Sequence, residues 1–220
     1  MNDTAYGGSS LTHSLAGLTS GAIYRISIRS RNGEGYSAFS QYLELAASSL
    51  PAAPVAASLR KNVSLSAKTS IYLEWDKVPN QQVDTSGYLL WMASNAEGSE
   101  DFVLIMNGTE QPERNEFSVL GLQSGERYRF KLQALNFNGA SVNSSVYTYN
   151  ACLPPSSLPA PYRLDSTTSS ITVGWNEPLD DGGCPITGFA LYRDQADEGV
   201  PLTEVNSANE AGLASVPTVR

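Results

Sequence analysis

The side chains that most often do chemistry in proteins are scarce in this sequence. Histidine occurs once, as His13, so neither a Ser-His-Asp triad nor a histidine-based metal site can be assembled convincingly. The sequence contains no P-loop and no glycine-rich dinucleotide fingerprint. Paired carboxylates occur only in segments with the composition of loops. These observations predict a chain without catalytic activity and without a cofactor.

An acidic group towards the C-terminus is the best candidate for a metal site. Its members are Asp180, Asp181, Asp194, Asp197 and Glu198. Clustered loop carboxylates can hold Ca²⁺, which takes about 6–8 oxygen ligands. However, Asp-Asp-Gly-Gly is also ordinary turn chemistry, and the spacing matches no known Ca²⁺ loop. We therefore predict no metal site.

The charge of the chain is acidic and unevenly distributed. Residues 1–50 carry 3 bases and 3 acids, residues 51–152 carry 8 and 10, and residues 153–220 carry 3 and 9, which gives the net charge of −8. Nucleic-acid binding needs a clustered basic surface, so this distribution predicts protein partners and no nucleic acid. The apolar runs span only a few residues, which predicts no direct membrane insertion.

Four asparagines begin the N-x-[ST] acceptor sequence for glycosylation, namely Asn2, Asn62, Asn107 and Asn143. Composition alone would produce about three such triplets, so their number says little. Position says more, because Asn62 and Asn107 lie in polar segments that are predicted to be loops. All four are candidate glycosylation sites of a secreted chain.

A ten-residue pattern occurs twice, as GLTSGAIYRI at 17–26 and GLQSGERYRF at 121–130. Both copies continue with period-two alternation, which is typical of a strand. In the second copy Tyr128 faces one side and Arg129 and Lys131 face the other. Asn-Gly pairs follow both copies and predict hairpin turns.

A second pattern also occurs twice and places a tryptophan at the end of a strand. SIYLEW at 70–75 precedes SGYLLW at 86–91, and SITVGW at 170–175 precedes TGFALY at 187–192. Proline-rich stretches at 50–54 and 153–161 precede these units and have the composition of linkers. We therefore divide the chain into a first segment (1–50), a middle segment (51–152) and a last segment (153–220).

The full middle segment holds about seven short alternating strands in roughly 100 residues, the pattern of a two-sheet sandwich. No segment has sustained helical periodicity, so the fold class is predicted to be all-β. The combined motifs resemble the fibronectin type III repeat. An immunoglobulin domain would need a cysteine pair in mid-strand, and neither cysteine of this chain lies there.

The resemblance implies tandem antiparallel β-sandwiches, with a complete repeat in the middle segment and partial repeats on either side. The Leu-x-x-Gly-x-x-Tyr pattern would form a corner in which the tyrosine ring is buried while its hydroxyl bonds to the backbone upstream. The structural core that follows from this resemblance comprises Tyr24, Trp75, Tyr88, Leu122, Tyr128, Trp175 and Phe189.

The resemblance also bears on the two cysteines, Cys152 and Cys184. It places Cys152 at the start of the second linker and Cys184 in a loop at the pole where that linker arrives. A disulfide between them would limit bending at the linker, and it would imply an oxidising compartment. The alternative is two unrelated free thiols.

Alternation in the middle segment also predicts a surface ladder. Trp91 would face outwards beside Arg129 and Lys131, and a cation over the indole would stabilise the fold by about 0.5–1 kcal/mol. This surface is a possible partner-binding face, although a solvated face with one shielded tryptophan is the simpler interpretation. Arg25, Arg29 and Arg31 are predicted to face outwards in the first segment.

These features favour a non-enzymatic spacer and protein-binding scaffold in a cell-surface or extracellular protein, with a ciliary or flagellar filament as one setting. Its partners would be proteins, including neighbouring repeats, with assembly with further copies of itself as an option. The alternatives are a ligand-binding receptor ectodomain, a spacer attached to an enzyme, and an intracellular scaffold with reduced cysteines. A third copy of the corner would fall just past Arg220, so we expect the chain to continue in a longer protein.

Overall fold

The computed structural model describes residues 11–55, 57–79, 81–94, 101–194 and 201–205. Asn2, Asp197 and Glu198, which the sequence singles out, lie outside these residues. Among the described residues, no helix combines the length and apolar character that crossing a membrane requires. One short 3₁₀ helix spans Val63–Leu65.

The remaining regular structure consists of strands. They are β1 (Ile23–Ile26), β2 (Arg31–Asn32), β3 (Gly35–Tyr36), β4 (Leu43–Ala46), β5 (Leu59–Lys61), β6 (Ile71–Trp75), β7 (Gly87–Ala93), β8 (Val103–Asn107), β9 (Glu116–Val119), β10 (Arg127–Asn136), β11 (Gly139–Ala140), β12 (Tyr147–Asn150), β13 (Tyr162–Ser166), β14 (Ile171–Gly174), β15 (Tyr192–Arg193) and β16 (Thr203–Glu204). The strand pairs whose registers are defined are antiparallel, as Leu132 opposite Leu90 illustrates. The all-β prediction is confirmed.

Two sheets form the core of the middle segment. One has the strand order β5-β6-β9, and the other has the order β11-β10-β7-β8, with β12 also paired to β10. Strand β6 shows why they pack: Ile71, Leu73 and Trp75 are buried, and the residues between them are half-buried. A strand with this alternation covers a core with one face and meets solvent with the other.

The centre of the core is aromatic. The rings of Trp75 and Tyr88 meet edge to face with their centroids 5.8 Å apart, and Phe130 and Leu132 are also fully buried. Burying each large side chain stabilises the fold by about 1.5–3 kcal/mol. The Tyr88 hydroxyl accepts a hydrogen bond from the Val78 N–H at 2.9 Å, and burial raises the pKa of Tyr88.

The first and last segments are built from two-stranded pairs within the described residues. Strand β1 pairs with β4, and β2 pairs with β3. In the last segment β13 pairs with β14, with a register shift between Arg163 and Asp165, and β15 pairs with β16.

The core role predicted for Trp175 and Phe189 stays a prediction. The rings of Trp175 and Phe189 do meet, at 6.0 Å between centroids, but Trp175 is 37% exposed and Phe189 is half-buried. The physical reason is that the described strands of this segment form two-stranded ribbons, so they offer no second sheet to cover the indole.

The chain divides into two compact units. Unit 1 lies within residues 1–65, 71–120 and 127–149, and unit 2 within residues 66–70, 121–126 and 150–220. The division into three segments by sequence remains a prediction.

Candidate functional site: two junctions

The geometry of the corner motif in the first segment explains why a tyrosine and a glycine occur there. The Thr19 N–H donates to the Tyr24 hydroxyl at 2.8 Å, so the polar end of this half-buried tyrosine is satisfied. Gly21 has φ +78°, and its N–H donates to the Ala47 carbonyl at 3.0 Å. The corner is thereby tied to the chain that leaves β4.

The first junction lies within unit 1, where residues 46–49 meet the loops around residues 81–82 and 136–138. The Asn138 carboxamide dominates it. Its Oδ1 accepts from the Ala46 N–H at 2.7 Å, and its Nδ2 donates to the carbonyls of Ala46 at 3.0 Å and Ser48 at 2.8 Å. One side chain therefore satisfies three backbone groups at the end of β4 and just before the proline-rich linker.

Further hydrogen bonds surround this carboxamide. Asn136 Nδ2 donates to the Ser49 carbonyl at 2.9 Å, and Asn136 Oδ1 accepts from the Asn138 N–H at 2.9 Å. Ser49 Oγ is 3.0 Å from Gln81 Oε1. Side-chain hydrogen bonds thus hold the chain between β4 and the proline-rich linker.

A close backbone approach completes the first junction. A Cβ added to Gly21 would lie 2.7 Å from the Gln82 carbonyl oxygen, a distance that a real Cβ does not adopt. The positive φ of Gly21 already favours glycine. The position therefore requires glycine for two reasons, and sequence reasoning identified only the turn.

The second junction, within unit 2, repeats this arrangement 104 residues later. Gly125 has φ +82°, its N–H donates to the Ala151 carbonyl at 2.9 Å, and an added Cβ would lie 2.9 Å from the Gly183 carbonyl oxygen. At each corner, a carbonyl oxygen from a loop of the following segment therefore lies so close to the glycine that a side chain would not fit.

A disulfide between Cys152 and Cys184 lies at the second junction, with their Cα atoms 5.7 Å apart. Beside it, the Leu153 N–H donates to the Gly182 carbonyl at 2.9 Å. Ser48 occupies the place of Cys152 in the first junction, and its Oγ is 3.4 Å from Gln82 Oε1. The two junctions thus share a backbone plan, with a covalent bond where the first has a polar contact.

An ion pair also contributes to the second junction. Lys68 Nζ lies 2.6 Å from Asp180 Oδ1, and the two side chains are 43% and 40% exposed. The hydrogen bond from Lys68 holds the pKa of Asp180 below its ordinary value, with help from the Gly182 N–H. Exposed pairs of this kind are screened by solvent and contribute little to stability.

The acidic residues of this loop behave as turn formers. Asp180 Oδ1 accepts from the Gly182 N–H, and Asp181 Oδ1 accepts from the Gly183 N–H, both at 2.8 Å. Within the ranges that the structure describes, no group of three or more acidic, histidine or cysteine side chains is gathered as metal ligands would be.

The structure describes the surface around Trp91, whose role as a partner face stays a prediction. Trp91 is half-buried, and its Nε1 donates to Gln133 Oε1 at 2.9 Å. The Arg129 guanidinium carbon lies 5.2 Å and Lys131 Nζ lies 4.0 Å from the centroid of the Phe102 ring. Trp91 lies opposite Lys131 in the β7–β10 pairing, so the two side chains share a face, but the cations lie over Phe102 and not over the indole.

The predicted glycosylation sites differ in their surroundings. Asn107 is exposed, and its Oδ1 accepts from Thr109 Oγ1 at 2.6 Å. Asn143 is also exposed. Asn62 is half-buried, and its Nδ2, the atom that would carry a glycan, donates to Glu74 Oε2 at 3.3 Å. Among these three, the structure leaves Asn107 and Asn143 more accessible.

The sequence predictions missed a Ser-x-x-Ser motif at Ser37/Ser40 and Ser141/Ser144. Ser141 Oγ accepts from the Ala134 N–H at 3.1 Å, and Ser144 Oγ accepts from the Leu132 N–H at 2.9 Å. Ser37 and Ser40 make the same bonds to Ser30 and Ile28, at 3.0 and 3.1 Å. The shared 104-residue offset was visible in the sequence and could have revealed the motif.

The amino-acid sequence is similar to those of known proteins. The chain is 29% identical over 169 residues to M-protein of striated muscle from Gallus gallus, covering 72% of this chain. It is 26% identical over 186 residues to fibronectin type-III domain-containing protein 3A from Mus musculus, covering 81% of this chain. The chain spans 11% and 14% of the lengths of these two relatives.

A solved structure, the FN1–FN3 domains of chicken CNTN1, overlies 63% of this chain and 46% of its own, with a TM-score of 0.45 and 16% identity. No protein-family model matches the chain. The repeated corners, the antiparallel sandwich and the similarity to fibronectin type III proteins agree with the resemblance found in the sequence. The chain is therefore similar, in sequence and in its antiparallel strands, to proteins that contain fibronectin type III repeats.

Proposed function

We propose that the chain is a non-enzymatic spacer and protein-binding scaffold of a cell-surface or extracellular protein. The observation that carries this proposal is the disulfide between Cys152 and Cys184, which ties the linker to the loop of the segment that follows. A bond at this position restricts hinge motion, as a spacer requires. Disulfides persist in oxidising compartments and are rare in the cytosol.

The first junction supports the same function by different means. Asn138 accepts one hydrogen bond from Ala46 and donates one each to Ala46 and Ser48, which holds the chain where it leaves β4. Junctions with defined contacts transmit orientation from one repeat to the next, whereas a Gly/Ser-rich flexible linker does not.

The exposed acceptor asparagines add support for an extracellular location, because Asn107 and Asn143 could each carry a glycan. A filament, a ciliary or flagellar surface, or an adhesive contact between cells would each need such a spacer. A receptor ectodomain, or a spacer attached to an enzyme, would use the same junctions.

One observation favours a second candidate, an intracellular scaffold. The relative with 29% identity is named as a protein of striated muscle. In that setting the cysteines would be reduced, and the second junction would depend on its backbone hydrogen bonds and the Lys68–Asp180 pair.

The deciding experiment is differential alkylation of the protein from its native source, followed by mass spectrometry of the peptides that contain Cys152 and Cys184. The extracellular spacer predicts that both thiols are protected from alkylation until reductant is added. A protein alkylated fully at both positions without reductant would overturn it in favour of the intracellular scaffold. A denatured control protein with a free thiol is added to the lysis buffer, and its full alkylation shows that the reaction is complete.

A further inference from the structure

The acceptor sequence Asn107-Gly108-Thr109 begins at the last residue of strand β8. Asn107 and Thr109 are exposed, whereas Gly108 between them is buried. The Gly108 N–H donates to the Tyr88 carbonyl at 2.9 Å, and a Cβ added to Gly108 would lie 2.9 Å from that same oxygen. The middle residue is therefore fixed against β7, while the two residues that define the acceptor sequence meet solvent.

The carboxamide of Asn107 is held by its oxygen atom. Asn107 Oδ1 accepts from the Thr109 N–H at 3.1 Å and from Thr109 Oγ1 at 2.6 Å. An N-linked glycan is attached to the other end of the carboxamide, at Nδ2. Because a glycosylated asparagine keeps its carbonyl oxygen, both hydrogen bonds persist after modification. The folded turn therefore accommodates a glycan without losing a contact.

The other acceptor asparagines of the described residues have different surroundings. Asn62 is half-buried, and its Nδ2 donates to Glu74 Oε2 at 3.3 Å, so a sugar on this atom would crowd the carboxylate. Asn143 is exposed, but the next residue, Ser144, is buried and its hydroxyl holds the bend beside β10. Asn107 combines exposure with a carboxamide that is oriented by its own acceptor sequence.

Strand β8, which ends at Asn107, forms an edge of its sheet. In the order β11-β10-β7-β8, its partner is β7 alone among the strands that the structure describes. Edge strands attract strands of other chains, and proteins protect them with charges, proline or a cover. Strand β8 reads VLIMN, without charge or proline, and Val103 and Leu104 are 65% and 38% exposed. This edge is therefore apolar and lacks protection by its own side chains.

The other edges of the middle segment are protected in the usual ways. In the second sheet, the edge strand β5 contains Arg60 and Lys61, and the edge strand β9 contains Glu116. At the far end of the β8 sheet, β11 is only 2 residues long. Charges and a very short strand both discourage pairing with another chain. The acceptor sequence thus lies at the end of the edge that needs a cover.

We propose that Asn107 carries an N-linked glycan that covers the edge strand β8 and prevents its pairing with other chains. This proposal rests on the proposed extracellular location, because N-linked glycans are added to secreted chains. A glycan is bulky and solubilising, so at the end of β8 it supplies the cover that the side chains of the strand do not.

The modification is a transfer of an oligosaccharide from a lipid-diphosphate donor, catalysed by a transferase of the secretory pathway. Asn107 Nδ2 forms a bond to the anomeric carbon of the first N-acetylglucosamine. The bond from that carbon to the diphosphate oxygen breaks, and the lipid diphosphate leaves with the bonding electrons. Nδ2 loses one proton to a base of the transferase.

The first test is secretion of the 220-residue chain, behind a cleavable signal peptide, from animal cells that keep their glycans in the high-mannose form. Enzymatic release of the glycans in heavy-oxygen water, followed by peptide mass spectrometry, marks each modified asparagine as a labelled aspartate. Thr109→Ala removes the acceptor sequence but keeps Asn107, and Thr109→Ser is the matched control that keeps a hydroxyl. We expect label at Asn107 in the parent and in Thr109→Ser, none there in Thr109→Ala, and less at Asn62 than at Asn107.

The second test measures the effect of the glycan on association. An endoglycosidase trims the folded parent to one sugar at each site, so no variant has to fold without its glycan. We expect light scattering to show self-association that strengthens at least about tenfold on trimming. Val103→Lys, which places a charge on the edge, should prevent it. Asn143→Gln is the control for trimming at the other exposed site, and it should behave as the parent does before and after trimming.

Bare Asn107 in the secreted parent, Asn62 more fully modified than Asn107, equal association of trimmed and untrimmed chains, or association that Val103→Lys does not reduce would each overturn the proposal. Any of these results with protected cysteines in the native protein would leave the spacer function intact. Fully alkylated cysteines in the native protein would instead overturn the extracellular location itself, whatever the secreted chain shows.

Discussion

At the scale of single residues, a serine hydroxyl takes the place of a backbone carbonyl beside β10. Ser141 Oγ accepts from the Ala134 N–H and donates to the Val142 carbonyl. Ser144 Oγ accepts from the Leu132 N–H and donates to the Ser145 carbonyl. The hydroxyls therefore let the chain bend away from β10 while its buried N–H groups keep their partners.

Replacing these hydroxyls tests their contribution. Ser141→Ala removes the hydroxyl that the Ala134 N–H donates to, at a position where Ser141 is only 3% exposed. We expect the free energy of unfolding to fall by about 1–3 kcal/mol. Urea unfolding followed by tryptophan fluorescence measures the change.

Ser145→Ala, at an exposed neighbour, is the control for Ser141→Ala and should alter the free energy of unfolding by less than about 0.5 kcal/mol. Equal stability of the two variants would show that the hydroxyl bonds contribute nothing beyond what solvent provides.

The positions of large aromatic residues on strands were predictable from the sequence. Serine side chains that accept hydrogen bonds in place of a backbone carbonyl were not. Trp75 and Tyr88 could be placed on strands from alternation, and the structure buries both. Serine occurs at so many kinds of position that Ser141 alone carries no signal, and only its repetition at Ser37 gives one. Alternation also placed Trp91 beside Lys131, its partner in the β7–β10 pairing, but it could not reveal that the Lys131 ammonium lies over Phe102.

At the scale of elements, the linker after β4 is ordered by the loop between β10 and β11. Asn138 belongs to the Asn-Gly pair that the sequence identifies as a hairpin turn. The turn explains Gly139, whose φ is +132°, but the asparagine has a second role in the junction. This role depends on a partner 92 residues away at Ala46, which local sequence patterns cannot reveal.

The variant Asn138→Ala removes all three hydrogen bonds to the linker while keeping the glycine of the turn. We expect faster amide hydrogen exchange at Ala46 and faster proteolysis between residues 47 and 55, because the linker then samples more conformations. Hydrogen exchange with mass spectrometry and limited proteolysis measure both effects.

The control for this change is Asn143→Ala, at an exposed asparagine of the same segment. Exchange at Ala46 should match the parent in the control. If hydrogen exchange at Ala46 in Asn138→Ala also matches the parent, then Asn136 and the glutamines hold this part of the chain without Asn138, and its hydrogen bonds are redundant.

At the scale of the whole chain, the two units differ in how they are stabilised. Unit 1 contains the buried aromatic centre around Trp75, whereas Trp175 in unit 2 is 37% exposed. Small β structures with limited burial commonly depend on covalent cross-links. We infer that the disulfide contributes a larger share of the stability in unit 2.

Reduction should therefore affect the two units unequally. Cys152 and Cys184 are 32 positions apart, and closing a loop of this size stabilises the folded state by about 3–4 kcal/mol in the chain-entropy account. We expect unit 2 to unfold at a much lower urea concentration after reduction, with little change in unit 1.

Two single-tryptophan reporters, retaining Trp75 or Trp175 with the other tryptophans replaced by phenylalanine, separate the two transitions. The double variant Cys152→Ser/Cys184→Ser, insensitive to reductant, should reproduce the reduced behaviour at Trp175. An equal shift at both reporters would mean that the units unfold as one cooperative body, and no shift at either would mean that hydrogen bonds alone hold the second junction.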